Sequence, residues 1–170
     1  MKGISAIILA AFATVATGCS NSECYDNHSA LPLADFYNGV TMQKVSLQGL
    51  EIYGIGAPGD SILYKAQTLS QAYLPFRLWQ DTTQYVFAYR GLLPDSVATL
   101  YPELVPKDTV SFVYKPKEWY VNPACGAMYF FDMDTVVHSS LLIDSISCNE
   151  VITNENVSNI KIFFKEELSE

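Results

Sequence analysis

The chain has 170 residues, 49% of them hydrophobic and 13% aromatic, and a net charge of −8. That length and apolar content support one packed domain and exclude both a disordered chain and two full-sized domains. The acidic balance excludes a surface built for nucleic acid or for attracting anionic headgroups by charge.

The first element is an export signal over residues 1–18. Lys2 supplies a single positive charge, residues 4–15 are almost unbroken apolar sequence, and the small residues Ala16-Thr17-Gly18 precede Cys19. A charged start, roughly 7–15 apolar residues and a small-residue cleavage site describe a secretory signal. A spanning helix needs about 20 apolar residues, and this run gives way to Ser20-Asn21-Ser22-Glu23. Ala16-Thr17-Gly18-Cys19 resembles the lipobox of bacterial lipoproteins, departing from it at Ala16, where Leu or Val is usual. The resemblance implies that Cys19 receives a diacylglycerol and becomes the mature N-terminus. Such an anchor gains roughly 0.8 kcal/mol per buried methylene. Cleavage after residue 18 removes only Lys2 and moves the charge from −8 to −9, so lipid is left to hold the membrane. Surface export of such lipoproteins looks to favour several acids just after the lipidated cysteine, and only Glu23 stands there. The expected anchor is therefore at the outer membrane facing the periplasm, with the cell surface as the alternative.

Residues 19–44 read as lipidated N-terminus, tether and lead-in, with 31–37 ambiguous between a short helix and a first strand. If Cys19 carries lipid, Cys24, Cys125 and Cys148 remain in an oxidising compartment. Cys24–Cys125 is the favoured pair, clipping the tether to the body, and Cys125–Cys148 is the alternative. In the favoured case Cys148 is a small buried apolar side chain.

Residues 45–170 form the domain, and their dominant period is two. Tyr85, Phe87 and Tyr89 share one face over 83–90. Val110, Phe112 and Tyr114 share one over 108–115, and Ile160, Ile162 and Phe164 share one at the C-terminal end. Further strands are expected over 46–55, 72–79, 118–121, 127–131 and 141–151, the last forming a hairpin with 158–164. Residues 95–104 are expected to be helical, with Asp95 as N-cap. The prediction is an all-β fold: an antiparallel β-sandwich, Ig-like or similar, of seven to nine strands with one short helical insert. A partly closed β-barrel is the alternative.

Chemistry is sparse. His28 lies in the tether, and His138 follows Asp132-Met133-Asp134 in an expected turn, where acidic turn residues and a surface histidine explain the pattern without a metal. Gly54-Ile55-Gly56-Ala57-Pro58-Gly59 is a turn between strands, with no helix to cradle phosphate. No cofactor, metal or catalytic residue is expected, and the reading is non-enzymatic. Trp79 is expected in the core. Trp119 and Tyr120, beside Lys115, Lys117 and Glu118, are the candidate contact for a glycan or an envelope partner. Six aspartates precede Ser or Thr and then a β-branched residue, at Ser61, Thr82, Ser96, Thr109, Thr135 and Ser145. Turn-to-strand chemistry accounts for the pattern. The triplets also look like the O-glycosylation signal of Bacteroidota envelope proteins.

Taken in order, the lipobox, Cys24, Tyr53-Gly54-Ile55-Gly56, Asp60-Ser61-Ile62-Leu63-Tyr64, Leu74-Pro75, Asn122-Pro123-Ala124-Cys125-Gly126 and Asn159-Ile160-Lys161-Ile162-Phe163-Phe164 resemble a Bacteroidota lipoprotein family of unknown function. The resemblance spans nearly the whole mature chain. It implies a single β-domain on an envelope anchor, with Cys24 and Cys125 as the recurring cysteines, and it carries over no activity.

Overall fold

The computed structural model describes residues 31–57, 61–122, 126–153 and 155–168. Among them ten strands form two sheets: β1 (Leu33–Asn38), β2 (Leu47–Gly54), β3 (Ile62–Leu69), β4 (Gln71–Tyr73), β5 (Thr82–Tyr89), β6 (Lys107–Asn122), β7 (Gly126–His138), β8 (Ile143–Cys148), β9 (Val151–Ile152) and β10 (Ser158–Phe164). The larger sheet runs β3-β2-β5-β6-β7-β9 and the smaller runs β4-β1-β10-β8. Both contribute to one core. Ala34, Phe36, Ile160, Ile162 and Phe164 from the smaller sheet pack against Leu50, Ile52, Phe87, Phe112 and Tyr114 from the larger. The period-two faces of β5, β6 and β10 are therefore the inward faces, and the all-β reading holds.

Several boundaries differ for physical reasons. The ambiguous segment 31–37 is strand, with Ala34 and Phe36 fully buried, so the packed body begins upstream of residue 45. β1 pairs with β10 in parallel, the one departure from antiparallel pairing among the described strands. The strands expected over 108–115 and 118–121 are one strand, β6. Pro116 is tolerated because β5 stops pairing at Val113, leaving an edge that needs no amide there. β7 continues through Asp132 and Asp134 to His138, so the expected turn is absent. The register steps from Val113↔Thr135 to Tyr114↔Met133, and Asp134 is absorbed in a bulge.

The helix expected over 95–104 is α1 (Asp95–Leu100) followed by a 3-10 turn at Pro102–Leu104, with Pro94 at the cap position given to Asp95. It packs Ala98 with Val105 against Ala88 on the outer face of the larger sheet. β8 and β10 pair as expected, but β9 between them crosses to β7. The strand expected over 72–79 ends at Tyr73, and residues 74–79 leave the sheet to close one end of the sandwich.

Candidate functional site

Past β4 the chain turns into the end of the sandwich. Leu74 donates its N–H to the Pro32 carbonyl (2.9 Å), and Phe76 enters between the sheets. Its ring stacks on Tyr114 at 4.5 Å and meets Phe131 edge-on at 5.3 Å. The backbone that comes with it is satisfied by phenols. The Tyr114 hydroxyl accepts the Arg77 N–H (2.8 Å) and donates to the Arg77 carbonyl (2.9 Å), with Thr83 Oγ1 at 2.6 Å. Tyr85 donates to the Pro75 carbonyl. Burial pushes both phenols above their ordinary pKa, so they remain protonated donors at neutral pH.

Three residues later the same segment points outward. Trp79 is 86% exposed, which overturns its expected place in the core; Phe76 occupies that place instead. The Trp79 ring meets Tyr129 at 6.4 Å and 69°, and it lines an open depression of about 600 Å³ with Gln80, Asp81, Thr82 and Pro116.

Tyr129 belongs to a projecting ribbon. β5 pairs with β6 only as far as Thr82↔Val113, and β9 meets β7 only at Phe131 and Asp132. Farther out, β6 and β7 pair only with each other among the described strands. Cross-strand partners share a face. The partners Glu118↔Tyr129 and Tyr120↔Ala127 put Tyr120 on the face that meets Trp79. The partners Trp119↔Met128 and Lys117↔Phe130 lie on the other face. Trp119 (61% exposed) and Tyr120 (64%), read from sequence as one contact, therefore point to opposite sides. Lys117 is paired with Asp132.

The described chain also begins at this end. Leu33 opens β1 beside Tyr73 and Ser158, and the Tyr73 hydroxyl donates to Asn156 Oδ1 at 2.8 Å. Pro32, Trp79, Asn156 and the base of the ribbon thus cluster at one end of the sandwich.

The far end is closed by a carboxylate. Asp108 is buried and accepts N–H bonds from Leu141 (2.9 Å), Leu142 (2.7 Å) and Ile143 (2.8 Å), with the Ser139 hydroxyl at 2.5 Å. Burial is the largest single influence on it and opposes ionisation. The hydrogen bonds together outweigh burial and hold the carboxyl below its usual range. Sequence reading took Asp108 only as the start of a triplet. Its partners lie more than thirty positions away, and no local signal marks them.

The remaining groups are dispersed. Glu51, paired with Arg90, lines a cavity of about 300 Å³ with Tyr53 and Ile62, while Asp81 and Asp95 line two others. Among the described residues no three of His, Cys, Asp and Glu gather in a metal-holding cluster. Cys148 is a free, half-buried thiol, with its pKa pushed up to about 11 by burial. Ser61, Ser96, Thr135 and Ser145 are exposed, whereas Thr82 and Thr109 are half-buried. The signal segment, Cys19, Cys24 and Cys125 lie outside the described residues, and so does the favoured disulfide.

Residues 49–164 match the model of DUF6452, a family of unknown function, and the chain belongs to that family. No curated protein and no solved structure matches it.

Proposed function

We propose, with membership of that family as the premise, that this is a lipid-anchored envelope protein. It acts by holding an envelope component at its aromatic end rather than by catalysis. The observation that carries the reading is the exposure of both tryptophans of the chain at one end of the body. A tryptophan ring is large and mostly apolar, and sandwiches ordinarily bury it. Two left in solvent, beside Tyr120 and Tyr129, mark a contact surface. The dispersal of Glu51, Asp81 and Asp95 over three depressions supports binding over hydrolysis, which needs carboxylates facing one cleft.

The anchor rests on the lipobox resemblance at Cys19, and the proposed location is the outer membrane, facing the periplasm. A Cys24–Cys125 bond would tie the tether to the residues between β6 and β7. Replacing Cys19 with Ala is expected to release a folded, soluble protein, and a variant that stays in the membrane fraction overturns the anchor. Intact mass of the mature chain reads lipid on Cys19 directly. It also reads O-glycosylation, for which Ser61, Ser96, Thr135 and Ser145 present accessible hydroxyls.

A second reading, glycan binding, is favoured by one observation. The depression beside Trp79 sets an amide, Gln80, and a carboxylate, Asp81, next to an exposed ring, the polar groups that fix sugar hydroxyls over an aromatic face.

A further inference from the structure

We infer that the cavity on the outer face of the larger sheet binds a small carboxylate with an apolar body, its charge held at Lys107 and its body over Ala88. The site is separate from the tryptophans. The inference goes beyond the proposed function and rests neither on the anchor nor on the aromatic end.

Strand register makes the space. Ile52 and Phe87 face the core, so their neighbours Glu51, Tyr53 and Ala88 face outward. Glu51 pairs with Ala88 across β2 and β5, and Ala88 pairs with Lys107 across β5 and β6. The three form one row across the sheet, its ends about 10 Å apart at the backbone. The middle position carries only a methyl group. A gap is thus left between a carboxylate on one side and an ammonium on the other.

The connection from β5 to β6 roofs this gap without filling it. Ala98 and Val105 pack on Ala88, and Pro102 and Val105 line the cavity from above. Ile62, the cross-strand partner of Tyr53, lines it from the β3 side. What remains is a cavity of about 300 Å³. Liquid water allots about 30 Å³ to each molecule, so there is room for a body of about ten non-hydrogen atoms.

Charge decides what the cavity takes. Arg90 Nε meets Glu51 Oε2 at 3.3 Å, and Arg90 Nη1 donates to the Ala98 carbonyl at 3.3 Å. That pair is neutral and fixed in the wall. Lys107 has no ion-pair partner among the described residues. The cavity therefore carries one uncompensated positive charge, on a chain whose net charge is −8. Beside apolar walls an ammonium attracts an anion more strongly than it does in bulk water. Tyr53 adds a donor: burial and the Glu51 charge raise its pKa, so its hydroxyl stays protonated at neutral pH. Apolar walls with a few convergent polar groups suit a small molecule. One spare cation matches one carboxylate, and Ile62, Pro102 and Val105 match an apolar body.

The probe is benzoate, a carboxylate of about the right size. Benzamide keeps the body without the charge, acetate keeps the charge without the body, and benzylammonium reverses the charge. Each is titrated into the full mature chain while the methyl signals of Ile62, Ala88 and Val105 are followed by nuclear magnetic resonance. Benzoate is expected to shift all three saturably, with a midpoint of about 1 mM or below. It should bind at least about tenfold tighter than benzamide or acetate. Lys107→Gln, at an exposed position, should weaken benzoate about tenfold and leave benzamide unchanged. Glu51→Gln makes the cavity more positive and should tighten benzoate.

Methyl signals that do not move with benzoate overturn the site. Equal binding of benzamide, or a Lys107→Gln variant that binds benzoate as before, overturns the role of charge. Equal binding of acetate reduces the cavity to an anion contact and overturns the apolar body. Tightest binding of benzylammonium assigns the cavity to a cation at Glu51 and replaces the inference. No arm of the test involves Cys19 or a tryptophan, so its failure is distinct from failure of the proposed function.

Discussion

The two ends of this sandwich are closed by opposite chemistries. At the far end a single buried carboxylate, Asp108, gathers three consecutive backbone amides and a hydroxyl, so a polar loop is held without a large side chain. At the ribbon end a ring, Phe76, fills the space between the sheets, and the phenols of Tyr114 and Tyr85 satisfy the backbone that carries it. Polar closure holds the loop through its backbone and leaves Leu141 exposed. Aromatic closure leaves Trp79, three residues along the same segment, in solvent. The difference is one of means: a charge bonded to backbone at one end, a ring packed between the sheets at the other.

Phe76→Ala probes that difference hardest, because it empties the plug; it is expected to cost about 3–5 kcal/mol in denaturant unfolding. A loss under about 1 kcal/mol would mean that the ring is not what closes this end. Asp108→Ala strands buried amides and is expected to cost about 3 kcal/mol. Its charge also gives a pH signature. The folded-state carboxyl is depressed, so its contribution is fully present above the unfolded value of about 3.9 and is lost as pH falls through the lower folded value. Asp108→Asn should flatten the acid limb of the stability profile, and an unchanged limb would remove Asp108 as its source.

Tyr114→Phe keeps the ring stack and deletes the hydroxyl bonded to both Arg77 backbone groups, for an expected loss of about 1–2 kcal/mol. Trp79→Ala should change stability by no more than about 0.5 kcal/mol, as exposed positions do. A larger loss would show that Trp79 belongs to the plug. Cys148 gives a check that needs no variant. With its thiol pushed up to about 11, alkylation at neutral pH should be slow in the native protein and fast in denaturant.

The layers of the fold were legible because burial alternates with period two. Tyr85, Phe87 and Tyr89, and likewise Val110, Phe112 and Tyr114, face the core as their spacing predicts. Where the chain stops alternating, sequence misleads. Leu74 to Trp79 is apolar enough for a strand, yet one ring goes in and another goes out. Only the position of Tyr114, far along the chain, decides which. Asp132 and Asp134 read as a turn because a bulge and an ion pair that accommodate charge in a strand are invisible until β6 is placed beside them. Trp119 and Tyr120, read as one contact, are both exposed on β6 but on opposite faces. Neighbours on a strand cannot share a face, and Tyr129, which meets Trp79, stands across the ribbon where only strand pairing places it.

The smaller sheet bears on time as well as on structure. Its two central strands, β1 and β10, are the first and last strands of the described chain, joined in parallel. A chain emerging N-terminus first presents β1 long before its partner exists, while the five strands from β2 to β7 that dominate the larger sheet can already pair with their neighbours. Assembly then runs from the larger sheet to the smaller. The last-made strand is thus the one that locks the first in place.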